Sequence, residues 1–77
     1  MTVTITYFGL LAEVTHTSQE TLEFTENSVS ELVDVLYEKY PALKQKDFQV
    51  AQHNEITPLD TVISDNNIAL LPPFAGG

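Results

Sequence analysis

Cysteine, tryptophan and arginine are absent from this 77-residue chain, and lysine occurs only three times. Without cysteine the fold rests on no disulfide, and no CxxC metal or redox site exists. The three lysines, Lys39, Lys44 and Lys46, fall within one eight-residue stretch. That leaves no basic surface for tracking phosphates, so nucleic-acid binding is excluded. Glycine is scarce too, at Gly9, Gly76 and Gly77. With no glycine-rich loop after a strand and no arginine fork, the chain cannot build a phosphate pocket alone. No apolar run nears the roughly 20 residues that cross a bilayer. Met1 leads straight into Thr2-Val3-Thr4-Ile5, with no basic stretch before an apolar block, so no signal peptide is read. A cytoplasmic protein, free of membrane and nucleic acid, is expected.

What is present is acid and a modest core. Eleven carboxylates give a formal net charge of −8, which suits both solubility and attraction to a basic partner surface. The 43% hydrophobic content, with four Phe and three Tyr, is enough for one small packed domain.

Periodicity divides the chain into elements. Thr2 to Phe8 alternates with period two, placing Val3, Ile5 and Tyr7 on one face, and Gly9 ends this strand. Leu10 to Val14 is a short apolar patch fit for one helical turn, and Thr15 to Ser18 connects. Glu20 to Thr25 alternates again, with Leu22 and Phe24 on one side. Ser28 followed by Glu31 is a capping box. Leu32, Val33, Leu36, Tyr37 and Tyr40 then recur at helical spacing until Pro41 stops the helix. Phe48 to Gln52 reads as a strand turning at His53-Asn54, and Glu55 to Thr57 as a short further one. Asp60 to Ile63 connects, anchored by Val62 and Ile63. Ser64 to Asn67 is a turn cluster of residues tolerant of left-handed angles. Ile68 to Leu71, wholly apolar, is expected at the centre of the sheet with both faces covered. One helix across a mixed sheet of four to five strands, an α+β roll, accounts for this order.

Two histidines and the remaining carboxylates carry no chemistry at their spacing. His16 and His53 are separated by whole elements and read as turn residues. Glu23 and Glu26 read as a solvated face.

The last six residues, Pro72-Pro73-Phe74-Ala75-Gly76-Gly77, follow the buried strand directly and carry no charged side chain. Two prolines force an extended exit. Phe74 is a large apolar group placed where only a partner would bury it. Ala75, Gly76 and Gly77 offer a backbone narrow enough for a closed channel. Ordering six residues costs on the order of 6–12 kcal/mol, lowered by the prolines. Burying Phe74 returns about 1.5–3 kcal/mol, and main-chain hydrogen bonds to the partner must supply the rest. The chain thus divides into a domain, residues 1–71, and a working tail, residues 72–77.

The ending Ala69-Leu-Leu-Pro-Pro-Phe-Ala-Gly-Gly77 resembles that of the MoaD family, the ubiquitin-like sulfur-carrying small subunits of molybdopterin synthase. The resemblance extends to Tyr7-Phe8 and Leu11-Ala12-Glu13, and to length and element order throughout. Asp65-Asn66-Asn67 stands where the family often has Asp-Gly, and Gln52 where it commonly has Asn. The resemblance implies a β-grasp fold and a set of functional expectations. Gly77 would be adenylated by a ubiquitin-activating-like enzyme that consumes ATP. A persulfide donor would convert it to a thiocarboxylate, which donates sulfur to a pyranopterin precursor inside the large subunit, in a heterotetramer. The small chain would bind no cofactor itself and would be no enzyme alone, with Pro72 to Gly76 engaging partners. The alternatives are a carrier of the thiamine type, a ubiquitin-like modifier joined to lysines through Gly77, and an interaction domain with an inert tail.

Overall fold

The computed structural model describes residues 1–25 and 27–73. Its elements run β1 (Thr2–Tyr7), α1 (Leu10–Thr15), β2 (Gln19–Glu23), α2 (Val29–Lys39), a 3₁₀ turn (Pro41–Gln45), β3 (Gln49–Gln52), β4 (Glu55–Ile56) and β5 (Asn67–Leu71). The strands form one mixed sheet in the order β2-β1-β5-β3-β4. β1 pairs antiparallel with β2 and parallel with β5, with Ile5 opposite Ile68 and Tyr7 opposite Leu70. β5 is thus the central strand, and the last element lies beside the first, as an α+β roll requires.

Alternation decides what is buried. Val3, Ile5 and Tyr7 of β1, Val50 of β3, and Ile68 and Leu70 of β5 face one side of the sheet and are buried. Against them α2 lays Val29, Leu32, Val33 and Leu36. The helix begins as the capping box predicts: Ser28 Oγ accepts from the Glu31 amide, and the Glu31 carboxylate accepts from the Ser28 amide. It ends at Tyr40, before Pro41. Pro41 then opens a 3₁₀ turn that the sequence reading left out, and this turn inserts fully buried Leu43 under the core.

Several expectations need correction. Val62 is no anchor: it is 62% exposed, while Ile63 alone turns inward. The reason is the connection's path, since the Val29 amide donates to Thr61 and the Ile63 amide to Asn27, a pairing that faces adjacent side chains in opposite directions. Left-handed backbone occurs at Gly9, His16, His53 and Asn54, and at none of residues 64–67. Those last residues turn through a side chain instead, the Asn67 amide donating to Asp65 Oδ1. Phe24 is buried but lies just past the end of β2, and β3 starts one residue after Phe48. The outer face of β5, at Ala69 and Leu71, is only half covered. Glu26 lies outside the described residues.

Candidate functional site

Two features meet where β5 ends. The first is the root of the tail. The Phe8 amide donates to the Leu70 carbonyl at 3.1 Å, so the two parallel strands stay locked to their last residues. Pro72 follows, half-buried, and Pro73 is exposed. Pro72 lies against Gly9, where a Cβ would sit 3.0 Å from the proline Cγ. Phe74, Ala75, Gly76 and Gly77, the rest of the expected site, lie outside the described residues.

The second feature is the sheet's outer face, half of which the sequence left unread. Register places Thr6, Ala69, Ala51 and Ile56 in one row across four strands. Three of these side chains are small, so the row forms a floor. Phe8 and Leu71 stand at one end and Ile56 at the sheet edge, giving an open groove of about 590 Å³. Phe8 is 45% exposed and Ile56 53%, and Leu10, next in sequence to Gly9 and outside the groove, is 62% exposed. Phe8, Leu71 and Ile56 make this groove a candidate docking face. Alternation in β1 and β5 was the available signal, since the residues between the core positions had to face somewhere.

The far rim of the groove is polar and ordered. Amides of Asn67 and His53 donate to the Asp65 carboxylate and hold it below the usual carboxylate range. His53 Nε2 lies 2.9 Å from Ser64 Oγ. Beneath, the buried Gln52 side chain donates to the Val62 carbonyl and accepts from the Ser64 and Asp65 amides. One amide side chain therefore ties β3 to the segment that delivers β5. This role was missed, although Gln52 alternates with Val50 and so had to point inward.

His16 and His53 sit in turns, as read from the sequence. Among the described residues no three His, Cys, Asp or Glu side chains group closely enough to hold a metal ion, and no helix is long and apolar enough to cross a membrane.

A five-stranded mixed sheet with one long helix across it, and the C-terminal strand at its centre, defines the ubiquitin-like β-grasp class. Within that class the chain belongs to the ThiS family, whose match spans residues 5–77. It is 38% identical over 80 residues to the molybdopterin synthase sulfur carrier subunit of Mycobacterium tuberculosis, covering 97% of this chain and 96% of that one. Among solved structures, a Pyrococcus furiosus protein described as molybdopterin converting factor, subunit 1, superposes with a TM-score of 0.86 at 18% identity, over 95% of this chain and 98% of the other. The small archaeal modifier protein 1 of Haloferax volcanii does so with a TM-score of 0.80 at 22% identity, over all of both chains. The family and fold read from the tail and the element order are borne out.

Proposed function

We propose that this chain is the sulfur-carrying small subunit of a molybdopterin synthase and that its reagent is the carboxyl of Gly77. The observation that supports this most is full-length identity of 38% to a relative bearing that name, in a chain whose central strand runs straight into Pro72-Pro73-Phe74-Ala75-Gly76-Gly77. The archaeal modifiers share the fold at identities too low to speak for conjugation.

A carboxylate is a poor electrophile, so activation comes first. In the proposed sequence the Gly77 carboxylate attacks the α-phosphorus of ATP on an adenylating partner, and pyrophosphate leaves. The terminal sulfur of a donor persulfide attacks the acyl carbon and expels AMP. A thiol then cleaves the resulting S–S bond, leaving the thiocarboxylate. That group is ionised and strongly nucleophilic at neutral pH. In the large subunit it attacks the pyranopterin precursor, and hydrolysis returns the carboxylate; two carriers serve one dithiolene. The phosphate-binding and acid–base groups belong to the partners, in keeping with the lack of arginine.

Intact mass after co-expression with an adenylating enzyme and a persulfide donor tests the reading. Replacement of one oxygen by sulfur is expected, a gain of about 16 Da by atomic mass. High-mass conjugates in its place would mean a modifier, and an unchanged mass would end the carrier proposal.

The outer groove is the proposed docking face for these partners. Phe8→Ala is expected to weaken binding of the large subunit roughly tenfold, because a half-exposed Phe has about 1–1.5 kcal/mol left to gain on burial. Calorimetric titration checks it, and unaltered affinity would remove Phe8 from the interface.

A further inference from the structure

We infer that Gly9 is a positioning residue for the C-terminal chemistry: it is the flat seat on which Pro72 rests, and it sets the direction in which the tail leaves the sheet. The inference rests on the carrier reading for its consequence, and on the free protein for its geometry.

Two independent features of Gly9 point the same way. Its backbone lies at φ +58° and ψ −134°, a region that side-chain-bearing L residues avoid. Its missing side chain is also the space Pro72 uses, with the proline Cγ 3.0 Å from where a Cβ would stand. The seat is held from both sides. The preceding residue, Phe8, donates to Leu70 at the end of β5, and Gly9 itself accepts from the Ala12 amide at 3.1 Å in the first turn of α1. A side chain at position 9 therefore both strains the seat and crowds the proline, and Pro72 has to give by a few tenths of an ångström or more.

Pro72 and Pro73 both have φ fixed near −65°, so fewer backbone angles at the root are free to take up a displacement of the first ring. Five residues follow Pro72, and a partner that holds them extended would span about 17 Å, over which a small tilt at the root would be magnified. A partner would then have to spend binding interactions on bending the tail back, which slows the chemical step more than it weakens docking through the outer face.

The test is a graded series at position 9, with Pro72 as the relief. Adenylation is followed by ATP–pyrophosphate exchange on a purified ubiquitin-activating-type enzyme chosen because it supports exchange with the unmodified chain. Gly9→Val is expected to lower kcat about tenfold, since misplacement by about 1 Å costs up to 10²-fold, with KM within about twofold. Gly9→Ala should fall between, and it carries the test if the valine variant does not fold. Adding Pro72→Ala to Gly9→Val should recover most of the loss relative to Pro72→Ala alone. An unchanged kcat, a change confined to KM, or a loss that Pro72→Ala does not relieve would each overturn the inference. The geometry is tested without any partner, by NOEs between the Gly9 Hα and Pro72 Hγ protons in the free protein. Their absence overturns it whatever the exchange assay shows, and if no enzyme of this type supports exchange with the unmodified chain, that counts against the carrier reading alone.

Discussion

A single alanine added after Gly77 is expected to leave the melting temperature unchanged and to reduce sulfur loading to background. The two halves of this expectation have separate causes. Stability resides in the sheet, α2 and the 3₁₀ turn, where Ile5, Leu32, Leu36, Leu43, Ile68 and Leu70 are fully or almost fully buried, and a residue added beyond position 77 is not expected to disturb them. In the proposed mechanism reactivity resides in one carboxyl at one distance from the fold. An extension turns that carboxyl into a peptide carbonyl and moves the free end by about 3.5 Å. The new terminal group then carries a methyl beside the reacting carbon, which a channel fitted to glycine must exclude. Effective molarities for aligned groups reach 10⁵ M and above, so losing alignment is expected to cost at least about 10³-fold in loading rate. Intact mass before and after incubation with the adenylating partner, ATP and a persulfide donor reads the result. Loading of the extended chain at an undiminished rate, without trimming, would show that the terminus is not the reagent.

The proposed role of the tail is read from local properties. Pro72-Pro73, Phe74 and Gly76-Gly77 would act through backbone restriction, apolar area and the lack of a Cβ, all properties of the residues themselves. The same holds for α2, whose start and stop are written within three residues at each end. The central place of β5 followed from Ile68 to Leu71 being wholly apolar. What stayed hidden depends on partners far along the chain. Gln52 satisfies carbonyl and amide groups 10–13 residues away. The turn at residues 64–67 uses no left-handed residue, although Asn and Asp tolerate that backbone. Positive φ occurs at Gly9 and His16, and at His53 and Asn54, where a two-residue hairpin between β3 and β4 requires it at both central positions to match strand twist. Pro72 reads from the sequence as a stiff exit and a partner contact, and its contact with Gly9 appears only once β1 and β5 are side by side.

Glu20 is the most consequential of the residues the sequence concealed, although alternation back from Phe24 and Leu22 puts it on the core face of β2. Its carboxylate accepts hydrogen bonds from the Tyr7 and Tyr40 hydroxyls and pairs with Lys39, so one side chain joins β1, β2 and the end of α2. Burial pushes this carboxyl up, but the bonds from Lys39, Tyr40 and Tyr7 together hold it below its ordinary value. Glu20→Ala leaves the hydroxyl of the buried Tyr7 without its acceptor, and the expected loss is about 3 kcal/mol, or roughly 12–24 °C in Tm for a domain of this size. The pH dependence has a definite sign at both ends. Because the folded pKa of Glu20 is depressed, its contribution is complete above the ordinary carboxylate value near 4.5 and is lost as pH falls through the lower folded value. Tyr7 and Tyr40 are shifted the other way, upward by burial first and by Glu20 second. Their contribution is complete below their ordinary value of 10.0 and is lost as pH rises above it, where the unfolded chain ionises first. Glu20→Gln keeps an acceptor and removes the charge, so it should recover part of the stability while flattening the acid limb and easing the alkaline one. Urea titrations from pH 3 to pH 11 would measure all three proteins. A Glu20→Ala variant within about 0.5 kcal/mol of the parent, or a Glu20→Gln variant with an unaltered acid limb, would show that the cluster is held together by packing and that its charge is incidental.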